Sequence, residues 1–202
     1  MGAQIALSLA LGGFEVRLWA RRRDSLPPAL ARIAEGYRGL ATNGLAAPGA
    51  EGETLARISA VSDIVDAVAG AGFVIEAVVE DAAIKQELLT AAEKAVTTDA
   101  ILSSTTSALS ASDLQSALQR PENFCVAHFA QPAHLVKLVE VVPGKATSEA
   151  TIGATIAVLA AAAKTPVVCP DIPGFLWARI QHAILREFSS LVGKGLVTPE
   201  AC

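Results

Sequence analysis

Short runs rich in Val, Ile and Leu alternate with longer Ala-rich stretches of helical period from one end of this chain to the other. That alternation constrains the fold more than any single motif. Residues 1–11 read as a helix, with Ile5 and Leu9 four apart and Gly12-Gly13 ending it. Residues 14–20 alternate as a strand, and an Arg run with Pro27-Pro28 opens a polar helical stretch to about Asn43. Residues 44–53, rich in Gly, Ala and Pro, read as a loop, and 57–61 as a short strand. Ser62 is placed to cap a helix over 63–68. Strands are then expected at 73–78 and 101–103, with helices at 81–96 and 110–118. Two strands carrying His128 and Glu140 follow, then a helix over 148–163, a strand at 166–169 and a last helix over 175–192. Strands separated by helices make an α/β fold with a doubly wound parallel sheet.

The composition agrees and narrows the function. Hydrophobic residues make up 52% of the 202, yet aromatics only 4%, so the core must be built from Ala, Val and Leu. Such a core suits parallel strands covered by Ala-rich helices. A net charge of −4 argues against a nucleic-acid surface. The longest apolar stretch, residues 152–163, is too short to span a bilayer and runs into Lys164. No charged segment precedes the first apolar stretch as in a signal peptide. The expectation is a cytoplasmic protein with no membrane or nucleic-acid partner. Cys125, Cys169 and Cys202 are far apart and odd in number, so no metal site and no disulfide framework are expected.

The chemistry is concentrated in His128 and Glu140. A histidine ends the apolar run Phe124-Cys125-Val126-Ala127, and a carboxylate sits inside the next, Leu138-Val139-Glu140-Val141-Val142. Two such strands a Pro turn apart can lie side by side. A carboxylate on one ring nitrogen fixes the tautomer and leaves the other free to take a proton near neutral pH. The pair is therefore either a general base for an alcohol or a core histidine bonded to a strand glutamate. His134 and His182 read as surface or core residues.

The first third of the chain resembles the back half of a dinucleotide-binding βαβ unit. Gly2 opens a helix whose N-terminus would face a pyrophosphate and whose small residue would let helix and strand pack closely. A carboxylate for the ribose hydroxyls is expected where the next strand ends, but Ala20 stands there, followed by Arg21-Arg22-Arg23. With no carboxylate to repel it, a 2′-phosphate could be held by Arg21 and Arg22. NADP, or both NADP and NAD, is the expectation; the alternative is a solvated arginine loop and NAD.

Several pieces in this order resemble the L-3-hydroxyacyl-CoA dehydrogenase family, including its short-substrate and lambda-crystallin-like relatives. They are Met1-Gly2-Ala3-Gln4-Ile5-Ala6, Val74-Ile75-Glu76-Ala77-Val78-Val79-Glu80-Asp81 with Lys85, and Ser104-Thr105-Thr106-Ser107. His128-Phe129-Ala130-Gln131-Pro132, Lys137-Leu138-Val139-Glu140-Val141-Val142 and Pro173-Gly174-Phe175 complete the set. The resemblance implies a Rossmann-type sheet over residues 1–170 and the start of an all-helical substrate and dimerisation domain over 171–202. It implies an oxidoreductase of fatty acid metabolism moving hydride between the C3 hydroxyl of an acyl-CoA and NAD or NADP, homodimeric at full length. His128 would be the base, Glu140 its support, and Ser107 the contact to the substrate oxygen. Gly2, Glu80, Lys85 and Thr105 would serve the cofactor. On spacing alone, Lys85 reads rather as a solvated helix lysine and Glu80 as a helix-terminal acid favoured by the dipole.

Three departures from the family pattern bear on function: Gln131 for an Asn, Ala130 for a Phe, and Ala178 for an Asn of the substrate pocket. They keep open a dehydrogenase of a small free hydroxy acid, or a non-catalytic remnant. Only Arg32 and Arg38 in the helical arm could hold a CoA phosphate. Family members also carry a strand before the Met-Gly and a full helical domain after the Pro-Gly-Phe. The chain is therefore expected to be part of a longer product, with two unpaired strand edges and an exposed apolar face (Phe175, Ile180, Ile184, Phe188, Leu191) on its last helix.

Overall fold

A computed structural model describes residues 1–202. In chain order the elements are α1 (Gly2–Leu11), β1 (Val16–Trp19), α2 (Leu26–Thr42), α3 (Glu51–Ala56), β2 (Ile58–Val61), α4 (Ile64–Val68) and β3 (Phe73–Glu76). Then come α5 (Ala82–Glu93), β4 (Ile101–Ser104), α6 (Ala111–Gln115), β5 (Phe124–Phe129), β6 (Leu138–Pro143), α7 (Glu149–Ala161), β7 (Thr165–Val168) and α8 (Trp177–Gly193). Four helices start where a side chain accepts an orphan amide: Asp63 for α4, Asp81 for α5, Ser110 for α6 and Ser148 for α7. Asp63, not Ser62, caps α4. The expected loop over 44–53 gives way at Glu51 to α3, whose first turn carries two acids that suit a helix N-terminus.

The strands form two sheets. β1 pairs with β2 in parallel, and the second sheet has the order β3-β4-β5-β6-β7. All its pairs are parallel except β5–β6, which is antiparallel because only a short turn through a cis Gln131-Pro132 bond joins them. This is the Rossmann-type sheet expected, with one antiparallel pair in an otherwise parallel order. β1 and β3 are edge strands lining a cleft of about 750 Å³ with Gly2, Ile5 and Leu18 among its walls.

Period-two alternation divides β5 between two cores. Phe124 and Val126 face Leu89, Leu114 and Val142 below α5 and α6. Cys125, Ala127 and Phe129 face Ile5, Val139 and Leu159 below α1 and α7. Each fully buried Phe, Leu or Val contributes roughly 1.5–3 kcal/mol. Parity puts His128 on the Phe124–Val126 face. The closest approach of a glycine to another element's backbone is at Gly12, where a Cβ would lie 2.7 Å from Ala162, so glycine is required there. At Gly2 a Cβ would sit 3.7 Å from Ala77, an ordinary contact; packing tolerates Gly2 but does not demand it. Phe175 is fully buried, off the exposed apolar face expected for it, whereas Ile180, Ile184 and Phe188 of α8 are exposed. No helix is long and apolar enough to cross a membrane.

Candidate active site

Strands β3, β4 and β5 deliver Glu76, Ser104 and His128 to the same carboxyl end of the sheet, the edge at which open α/β sheets bind ligands. His128 pairs directly with Glu140 across the antiparallel β5–β6 ladder, so both side chains leave the same face. The imidazole Nδ1 lies 2.7 Å from Glu140 Oε2. Both residues are nearly enclosed, 6% and 2% exposed, and the His128 Nε2 has no hydrogen bond within the protein. The other Glu140 oxygen, Oε1, accepts the backbone amides of Leu176 and Trp177 at 2.8 Å each. Burial pushes the Glu140 carboxyl up, but the His128 bond and the two amides outweigh it and hold the group below its usual range. Phe175 covers the imidazole, with ring centroids 5.6 Å apart.

A second polar cluster adjoins the first. Lys85, which the resemblance gives to the cofactor and spacing alone reads as solvated, is buried on α5. Its ammonium lies 2.9 and 3.0 Å from the Glu76 oxygens and 3.3 Å from Glu80. Ser104 donates to Glu76 at 2.6 Å. Glu80 Oε1 accepts the Thr106 hydroxyl at 2.5 Å and the amides of Ser107 and Ala108 at 2.9 and 3.2 Å. Burial raises the Glu80 carboxyl, and the Thr106, Ser107 and Lys85 interactions more than reverse this. Glu80 therefore fastens the loop after β4, leaving the Ser107 side chain exposed and free of protein bonds. The Thr105 amide donates to the Glu76 carbonyl at 2.9 Å. Glu76, the hub of this cluster, was not among the sequence candidates. The signal for it is an acid ending a β-branched strand, nine residues before the single basic residue of α5.

The residues around α1 fit a dinucleotide. Its first turn contains no acid and Met1 offers no side-chain cap, so amides at Gly2 and Ala3 are available to an anion. Small Ala20 and Ala77 follow β1 and β3. Arg21 and Arg22 are exposed beyond β1; Arg22 pairs with Asp24 at 3.6 Å and Arg21 with nothing. Neither touches the His128 cluster. His134 keeps a buried, unpartnered Nδ1 and is held low by burial and nearby Lys164, while His182 bonds the Ala178 carbonyl on exposed α8. The thiol of Cys125, pushed up to about 11 by burial, is an inert core group. No cluster of His, Cys, Asp or Glu could hold a metal ion.

The sequence profile of the 3-hydroxyacyl-CoA dehydrogenase NAD binding domain matches residues 1–172. The chain belongs to this family. The fatty acid oxidation complex subunit alpha of Pseudomonas paraeruginosa is 37% identical over 196 residues. That alignment covers 97% of this chain and 27% of the relative, so the chain spans about a quarter of that protein's length. The crystal structure of (S)-3-hydroxybutyryl-CoA dehydrogenase from Ralstonia eutropha superposes with a TM-score of 0.91 at 28% identity, covering 100% of this chain and 71% of that one. An NAD⁺-dependent dismutase, 5-formyl-3-hydroxy-2-methylpyridine 4-carboxylic acid 5-dehydrogenase, matches with a TM-score of 0.89 at 31% identity. It is covered over 64% of its length and this chain over 100%.

Proposed function

We propose that this chain is the dinucleotide half of an oxidoreductase that interconverts a 3-hydroxyacyl thioester and its 3-oxo form. The observation that carries the reading is the enclosed His128–Glu140 pair, with Nδ1 occupied and Nε2 unbonded at the carboxyl edge of the sheet. NAD, when bound, supplies the hydride acceptor. The chain's own residues handle the proton. His128 Nε2 takes it from the C3 hydroxyl during oxidation and returns it during reduction. Glu140 fixes the tautomer and offsets the imidazolium charge. Ser107, held outward by Glu80, bonds the reacting oxygen. Gly2 and Thr105 border the dinucleotide, and Lys85 acts on it through Glu80 rather than by direct contact. Dimerisation and a cytoplasmic location accompany this reading.

Arg21 supports a finer proposal. With Ala20 where a ribose-binding acid would stand, and no ion-pair partner of its own, Arg21 suits a 2′-phosphate; Arg22 can join it by leaving Asp24. The chain would then accept NADP as well as NAD.

A second reading, a dehydrogenase of a small free hydroxy acid, is favoured by Arg38. It and Arg32 are the only basic residues of the α2 arm for a CoA phosphate, and Arg38 is shared with Glu51 at 3.6 Å. Parallel assays of acetoacetyl-CoA and of CoA-free 3-oxo acids with NADH separate the readings. Reduction of the thioester alone supports the first, of the free acid alone the second, and of neither refutes both.

A further inference from the structure

Glu140 spends one oxygen on His128 and the other on the opening of α8, more than thirty residues downstream. The turn between them has an unusual backbone: Gly174 has φ +76° and Phe175 φ +48°, both left-handed. With that reversal the amides of Leu176 and Trp177 point at one oxygen and the Phe175 ring folds over His128. The segment is pinned upstream as well. Asp171 accepts the Ser110 hydroxyl and the amides of Ala111 and Ser112 at the start of α6, at 2.8–2.9 Å. The body of α8 has no buried residue. Its seat on the domain is therefore its first turn, and that turn rests on the dyad's carboxylate.

We propose that the Pro173-Gly174-Phe175 turn and the two leading amides of α8 form a positioning device, which keeps Glu140 ionised and aimed at His128 only while α8 is seated. This rests on reading His128–Glu140 as the proton-transfer pair. Without the amides, Oε1 would be an enclosed anionic oxygen with no donor. Two facing titratable groups complete its surroundings: His128 from β5, and the Cys169 thiol after β7. The thiol is pushed up to about 11 by burial and by Glu140 itself. The turn and α8 contribute amides to Glu140. No lysine or arginine bonds it, so withdrawal of α8 leaves only the His128 ring and the neighbouring Cys169 thiol to hold the charge in place. Gly174 and Phe175 are positioning residues: they act through Glu140 and His128. The simpler role, Glu140 as a plain cap for α8, predicts a loss of stability alone.

The test uses the full chain with ¹³C-carboxyl labelled glutamate. Gly174→Ala strains the left-handed turn, while its added Cβ would make only ordinary contacts, 3.6 Å to Arg179 and 3.8 Å to Ala178. Gly174→Asn, which tolerates this backbone, is the rescuing variant. Phe175→Leu removes the ring without altering the glycine and carries the test if Gly174→Ala does not fold. In Gly174→Ala and Phe175→Leu the Glu140 carboxyl titration should move up on the order of one pH unit, because hydrogen bonds to the charged form are weakened. The acid limb of the pH–rate profile should move with it. kcat should fall roughly tenfold at constant KM for NADH, as a misplaced general base would cause. Gly174→Asn should return both to near the parent values. A lower melting temperature with the Glu140 titration and acid limb unmoved would overturn the proposal. If the titration moves but no variant, nor the parent, reduces any substrate, the device stands and the assigned reaction fails. If the parent is active and the titration stays put, the reverse holds.

Discussion

His128 and Glu140 face each other as direct partners in the one antiparallel pair of an otherwise parallel sheet, with Nδ1 and Oε2 2.7 Å apart. Direct cross-strand partners share a face and a fixed separation. The contact is thus set by backbone register as well as by side-chain rotamers. Phe175 and the amides of Leu176 and Trp177 close the remaining sides.

Glu140→Gln should keep the fold but weaken the base. The amide can accept from the α8 amides or from His128, yet it carries no charge to offset an imidazolium. kcat for reduction of acetoacetyl-CoA should fall on the order of 10²-fold, near the lower bound for losing general-base assistance. Steady-state kinetics with circular dichroism checks this; unchanged kcat would refute the electrostatic role.

The Glu76–Lys85 pair is enclosed, with side chains 2% and 1% exposed. Glu76→Ala leaves a buried ammonium with the partly exposed Glu80 and a long bond to the Val78 carbonyl, and should destabilise by about 3–5 kcal/mol. Glu76→Gln combined with Lys85→Met should be much milder, since neither charge is then stranded. Urea denaturation of the three proteins measures the difference. Equal losses in the single and double variants would contradict it.

Of the carboxyls held below their usual range, three are partly buried: Glu80, Glu140 and Asp171. Burial raises each, and hydrogen bonds more than compensate. A folded value below the unfolded one, about 4, contributes stability that is complete above the unfolded value. It is lost as pH falls through the folded value. The melting temperature should therefore change little between about pH 7 and pH 5.5 through these groups and drop below about pH 4.5. Asp171→Asn should lower it at neutral pH and flatten the acid slope. A slope unchanged by that substitution would show that Asp171 is not one of the groups responsible.

Arg21→Ala should raise KM for NADPH roughly tenfold or more, the effect of losing one charge-assisted bond. KM for NADH should stay within about twofold, since that cofactor lacks the phosphate. If both values move together, Arg21 does not read the 2′-phosphate.

Much of this was legible in the sequence because it rests on local signals. The alternation of Val-rich and Ala-rich segments located seven strands and most helices, and the Gly12-Gly13 stop was visible as a residue type. What was not legible depends on long-range placement. Asp63 takes the cap from Ser62 because its carboxylate reaches the Val65 amide at 2.7 Å. The helix over Glu51–Ala56 forms inside a segment rich in turn residues, where propensity is a weak guide. The antiparallel turn of β6 follows from the short connection through Pro132, and strand content alone does not reveal direction. Spacing left Lys85 open to a solvated reading because the Glu76 that buries it lies on a different element. Phe175 read as part of an apolar helix stripe; its left-handed backbone instead turns it inward onto His128.

The assignment of His128 as the base is tested most directly by one comparison: NADH-dependent reduction of acetoacetyl-CoA by the parent and by His128→Ala, both shown to be folded. The account predicts a loss on the order of 10²–10⁴ in kcat, with KM for NADH nearly constant. An active parent whose His128→Ala variant retains kcat within about threefold, well short of that range, would contradict it.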